Sequence, residues 1–253
     1  LILQKIISGS GMILAGILFL FIFKIRKSIA FKYILYGGIV WAGTIALKFT
    51  CALLLNKHIY GFLYSALPAK VADPLFWVYV GLLTGIFECG GIYLVIKLTK
   101  LKNISKWESY AFGYGFGSTE AILIGLAQLL SIIAIFTGQI PVMQIDWLVI
   151  PAPIVERVMA IFLHLFTTLL IIYGIKENKP SLFWISLLYK SLVDAIAAWA
   201  QLSFGITSTS HIWLVEGIFF IVTSFSIVGS ILFCRRGETQ NLAEGNNASS
   251  FSS

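Results

Sequence analysis

The sequence predicts an all-α fold: a polytopic membrane helix bundle of about seven transmembrane helices, with the N-terminus outside and the C-terminus in the cytoplasm. Three observations predict it. Hydrophobic residues make up 58% of the chain and charged residues 11%, where a soluble domain carries roughly 25% charged residues. The apolar residues gather into seven runs, each near the roughly 20 residues a helix needs to cross a bilayer. The basic residues fall between the runs, in alternate segments. A membrane β-barrel does not fit, because the runs are long and do not alternate in polarity.

The first run, Ile6–Phe23, reads as an anchor rather than a signal peptide. It has no convincing small-residue cleavage site, and a basic stretch follows it. The second is Tyr33–Leu55. After it, Asn56–Asp73 carries Ile59, Tyr60, Phe62, Leu63, Tyr64 and Leu67, which predicts a short helix lying in the outer interface. The third run is Leu75–Ile96. The fourth, Trp107–Phe136, is long and glycine-rich, so it should extend beyond the bilayer or bend. The fifth, sixth and seventh are Pro153–Gly174, Leu182–Phe204 and Ile212–Phe233. Residues 1–236 thus form a single transmembrane domain. The tail from Gly237 to Ser253, rich in Asn, Ser, Gly and Glu, is expected to be disordered. No internal repeat is visible.

Charge sets the orientation. Lys24, Arg26, Lys27 and Lys32 follow the first run; Lys97, Lys100, Lys102 and Lys106 follow the third. Lys176 and Lys179 follow the fifth, and Arg235 and Arg236 the seventh. The segments after the fourth and sixth runs have no Lys or Arg. The positive-inside rule therefore places the basic segments in the cytoplasm; among the segments that follow a run, only Asn56–Asp73, with Lys57 and Lys70, is ambiguous. The net charge of +7 is topological and implies no nucleic acid. Cys51, Cys89 and Cys234 show no zinc-like spacing and read as small buried hydrophobes.

Glu88, Glu120, His164 and Asp194 sit near the middle of four different runs. A charged group at the bilayer centre costs about 2.5–3.5 kcal/mol on the most lenient scale, so such residues usually face a protein interior. At 1.5 Å per residue from the cytoplasmic boundaries, Glu88 lies about 12–14 Å deep, His164 about 15–17 Å, and Glu120 and Asp194 about 18–21 Å. The four can meet in one layer. Lys190 stands four residues before Asp194 and can pair with it; Lys48 is a further mid-depth cation. Such a cluster can activate water: a carboxylate takes its proton while donors steady the developing oxyanion. The structural alternatives are ion-paired carboxylates at Glu88 and Glu120, a satisfied core histidine at His164, and an Asp194–Lys190 ion pair. Glu156 and Arg157 follow Pro151 and Pro153 near the outer end of the fifth run. They read as interfacial or structural, with Arg157 also able to organise the site from above. His58 and His211 lie in outer segments and read as solvated. Glycines flank the layer at Gly113, Gly115 and Gly117, and at Gly90 and Gly91, where they permit close helix approach or substrate docking. No cofactor is certain from the sequence. A divalent metal such as zinc fits a site of Glu88, Glu120 and His164, but the same groups also work without one.

Four motifs in order carry a resemblance. They are Phe87-Glu88-Cys89-Gly90-Gly91-Ile92; Phe116 and Glu120 within Gly115–Ala121; Glu156-Arg157 followed by His164; and Lys190-Ser191-Leu192-Val193-Asp194. The stretch Phe87–Ala195 resembles the YhfC-type family of bacterial membrane proteins, in a superfamily with CAAX-processing, bacteriocin-immunity and PrsW-type intramembrane proteases. The resemblance implies that Glu88 activates water, Glu120 and His164 assist, and Asp194 stabilises or orients. Phe116, Glu156, Arg157 and Lys190 would support the site or contact substrate. Cys89 stands where the family has a second Glu, Ile92 near an expected basic residue, and Lys190 in place of a His. A protonated lysine cannot accept a hydrogen bond, which weighs against metal more than against a glutamate mechanism.

Three functions follow as expectations. The first is an intramembrane endopeptidase acting on membrane-associated peptides or proteins, integral to the bilayer of a bacterial plasma membrane. The second is a non-catalytic binding, immunity or scaffold protein of the same fold. The third is a proton-coupled transporter, disfavoured because repeated halves are not seen.

Overall fold

The computed structural model describes residues 1–27, 31–139, 146–204 and 208–250, with side chains described for all of these except 24–27 and 236–250. The helices are α1 (Ile2–Lys27), α2 (Phe31–Ala66), α3 (Ala69–Thr84), α4 (Gly90–Leu98), α5 (Lys106–Phe136), α6 (Ala152–Lys176), α7 (Pro180–Phe204) and α8 (Thr209–Ser250). A five-residue π-helical turn, Gly85–Cys89, joins α3 to α4, so Ala69–Leu98 is one membrane-spanning unit. Among the described residues, seven helical units are long and apolar enough to cross a membrane, and every predicted run lies inside one of them. An odd number of spans puts the two ends of the bundle on opposite sides, as the basic segments require. α8 continues as helix through Ser250, where the sequence predicts a disordered tail from Gly237; residues 251–253 lie outside the described residues.

The interfacial helix expected at Asn56–Asp73 is not a separate element. α2 runs unbroken to Ala66, and α3 starts at Ala69. Gly61 is the one weak point in that stretch, and a lone glycine costs only about 1 kcal/mol in a helix. The true stop is Pro68, which disfavours helix at the residue before it and forms the N-cap of α3. Two hydrogen bonds then clip the turn: Tyr64 Oη donates to Asp73, and Tyr79 Oη donates to Asn56 Oδ1 at 3.0 Å. The fourth run is a single helix of 31 residues, about 46 Å long at 1.5 Å per residue. It extends past a hydrocarbon core of about 30 Å. Its start is fixed by a capping box between Ser105 and Glu108.

α6 is the central helix. In its most apolar stretch 78% of residues are buried, against 39% or less in every other span. The outer helices present Leu53, Leu54, Phe62 and Phe136 outward, the arrangement expected against acyl chains. Close approach is set by missing side chains. A Cβ on Gly115 would lie 2.1 Å from the Ile34 carbonyl oxygen, and one on Gly37 2.1 Å from that of Phe112. The backbones of α2 and α5 therefore touch, which only glycine allows. This contact brings Trp41 of α2 to within reach of Glu120 of α5.

Candidate active site

The polar layer forms around α6. His164 is 1% exposed, and the ring of Phe116 packs on it with centroids 5.1 Å apart. Its Nε2 lies 2.6 Å from Glu120 Oε2, and its Nδ1 lies 3.7 Å from Glu88 Oε2. A carboxylate only accepts, so in the neutral ring Nε2 carries the proton and Nδ1 turns its lone pair toward Glu88. Donor atoms of Glu88, Glu120 and His164 all lie within 4.8 Å of one another. Three helical units, packed at mid-span, thus deliver three of the four groups that the sequence singles out.

Each carboxylate is held by its own donors. Trp41 Nε1 donates to Glu120 Oε2 at 3.0 Å, and Arg157 donates to Glu120 Oε1. The second guanidinium nitrogen of Arg157 donates to Glu156. Arg157 is therefore a direct partner of Glu120 as well as of Glu156, which makes its placement more than interfacial. Glu88 Oε1 accepts from Lys48 Nζ at 3.0 Å. Lys190 Nζ stands 3.4 Å from Glu88 Oε2 and 3.0 Å from Asp194 Oδ2. Asp194 reaches the cluster through Lys190 rather than joining the three donors. Glu88 Oε2 is fully buried and makes no hydrogen bond.

Sequence reasoning missed three features. The π turn places Glu88 in a widened helical turn; such turns recur at functional sites. Trp41 supplies an indole donor, and its signal was a polar stripe, since Trp41, Thr44 and Lys48 fall at i, i+3 and i+7 on one face. Glu216 of α8 is buried and borders a cavity near the outer end. His211, expected to be solvated, is half-buried and stacks on Phe204 at 4.4 Å between centroids. His58 is exposed as expected. Cys89 is buried, while Cys51 and Cys234 are half-buried, and all three are free thiols.

Two cavities reach the layer. One of about 480 Å³ lies between α2, α3 and α7, with Lys48, Thr84 and Asp194 in its wall. The other, about 60 Å³, lies between α6 and α7 and touches Glu120, Arg157, Lys190 and Asp194. Asp194 and Ala197 border both.

The donor set fits a divalent cation. Two carboxylates and an imidazole match the mixed oxygen and nitrogen ligation of catalytic zinc, and the unbonded Glu88 Oε2 faces the lone pair of His164. The fold and this centre define a class: a multi-span membrane protein with an acidic and imidazole centre buried between its helices. The chain belongs to the YhfC intramembrane metalloprotease family, whose model matches residues 11–219. It is similar to the uncharacterized membrane protein YhfC of Bacillus subtilis (strain 168), at 26% identity over 194 residues, covering 67% of this chain and 74% of that one. No solved structure matches.

Proposed function

We propose that this chain is an intramembrane endopeptidase of the bacterial plasma membrane that hydrolyses peptide bonds of membrane-associated substrates with a glutamate-activated water. The observation that carries the reading is the meeting of Glu88, Glu120 and His164 within 4.8 Å, in a layer bordered by cavities. The family's description points the same way.

The residues take separate tasks. Glu88 is the proton acceptor, because its Oε2 has no competing hydrogen bond. His164, held by Glu120 through Nε2, presents Nδ1 to the same point and fixes the attacking water between two acceptors. Trp41 and Arg157 keep Glu120 in place, so the imidazole does not turn. Lys190, poised between Glu88 and Asp194, brings positive charge to the side where the tetrahedral oxyanion grows. A divalent cation held by Glu88, Glu120 and His164 would add Lewis acidity at this centre. Extended substrate enters from the 480 Å³ cavity, whose mostly apolar wall suits an unwound membrane segment.

The test is a proteomic comparison of membranes carrying wild type, Glu88→Gln or Glu120→Gln at equal expression. Loss of a general base typically costs about 10²–10⁴-fold in rate, so peptide ends made by the wild type should vanish in both variants. Unchanged peptide ends in both variants would end this reading.

A further inference from the structure

Between the outer ends of α6, α7 and α8 lies another cavity, of about 180 Å³. Its wall includes Glu156, Gln201, Phe204, His211 and Glu216. About one turn deeper lies the small cavity that touches Glu120, Lys190 and Asp194, and Glu156 borders both. The two cavities are therefore neighbours that meet at Glu156, one toward the outer end and one at the cluster.

Glu216 is the unexplained group in the outer cavity. It is 7% exposed, and its Oε2 is fully buried without a hydrogen-bond partner. A buried carboxylate left unpaired is costly and is normally matched by a donor. Its neighbour in the wall, Glu156, is already joined to Arg157. The wall therefore carries two carboxylates, of which only Glu156 is joined to a guanidinium, in a space suited to a single side chain. Apart from Gln201 and His211, the rest of the wall is apolar, with Pro153, Ile212 and Val215 among its residues, which favours a long aliphatic stem with a charged tip.

We propose that this cavity is a specificity subsite in which Glu216 receives the ammonium or guanidinium group of a Lys or Arg in the peptide substrate. The proposal rests on the peptidase reading and adds a sequence preference to it. Its register follows from the helix. Glu156 and His164 are eight residues apart, about 12 Å along α6. An extended peptide advances about 3.3–3.6 Å per residue, so the basic residue should lie about three to four positions from the scissile bond.

The probe is a short apolar fluorescent peptide with one lysine, and a twin with norleucine there. Binding to the purified full chain in detergent is measured without reference to cleavage, so this test and that of the peptidase reading can fail separately. Wild type should bind the lysine peptide about tenfold more tightly than its twin, and Glu216→Gln should erase the difference. Gln201→Glu, an exposed change in the same wall, should widen it and does not depend on the fate of the buried site. Equal binding of the two peptides by wild type, or a preference that survives Glu216→Gln, would overturn the proposal. Displacement of the lysine peptide by glycerophosphoethanolamine at matching concentration would assign the site to lipid headgroups and overturn it too.

Discussion

Replacing Arg157 by methionine separates a structural from an ornamental role for the guanidinium that spans Glu120 and Glu156. The Arg157 and Glu120 side chains are 11% and 12% exposed, so the pair is largely removed from solvent. Removing one member of a buried pair costs about 3–5 kcal/mol, because the other charge is left uncompensated. Glu120 keeps His164 and Trp41 as donors, which brings the expected loss to about 3 kcal/mol. The Glu156 contact adds under about 1 kcal/mol, since that carboxylate is 38% exposed. Equilibrium unfolding of purified protein in mixed micelles, followed by tryptophan fluorescence, measures the loss. A double-mutant cycle with Glu120→Gln should return a coupling of about 2 kcal/mol. A loss below about 1 kcal/mol, or strictly additive single changes, would refute the claim that Arg157 acts through Glu120.

Three further outcomes are expected. Purified wild type should hold roughly one divalent cation per chain by elemental analysis, as a three-ligand catalytic site does; His164→Ala should lose it, and a chelator should abolish cleavage. Gly115→Ala should destabilise the bundle by about 1–3 kcal/mol through overpacking, read in the same unfolding assay, because the Cβ would meet the Ile34 carbonyl. Asp146, in the outer segment before α6, has its carboxyl held below the usual range by the Leu148 backbone N–H and by the Thr209 hydroxyl. The anchoring it provides is complete above the ordinary aspartate range and is lost as pH falls through the lowered native value. The protection of the Leu148 amide, taken relative to its intrinsic exchange rate at each pH, should fall in acid for wild type and stay level in Asp146→Asn.

The spans were legible because each apolar run is long and the bilayer leaves the backbone one solution. Of the centre, the acidic and imidazole members were legible for the same reason: an ionisable residue deep in an apolar run must face inward. Their partners were harder to read. Lys190 and Asp194 share a helix face, so their pairing follows from spacing alone. The joining of Trp41 and Arg157 to Glu120 depends on how α2, α5 and α6 rotate against one another, and no single helix encodes that. The end of α2 was misjudged because the aromatic residues Tyr60, Phe62 and Tyr64 mimic a surface-lying helix, while the decisive breaker, Pro68, comes later. The π turn left no trace in hydropathy, since Gly85-Ile86-Phe87-Glu88-Cys89 continues the apolar run on either side.

That widened turn separates two halves of one span that must satisfy different neighbours. α3 packs against α7 so closely that a Cβ on Gly81 would lie 2.2 Å from the Ser191 carbonyl oxygen. Beyond the turn, α4 buries Ile92 and Ile96 in the core. One additional residue in a helix advances its phase by about 100°, so the turn lets both halves keep their chosen faces while a carboxylate points between them. The acid is thus located by a mismatch in the helical gearing.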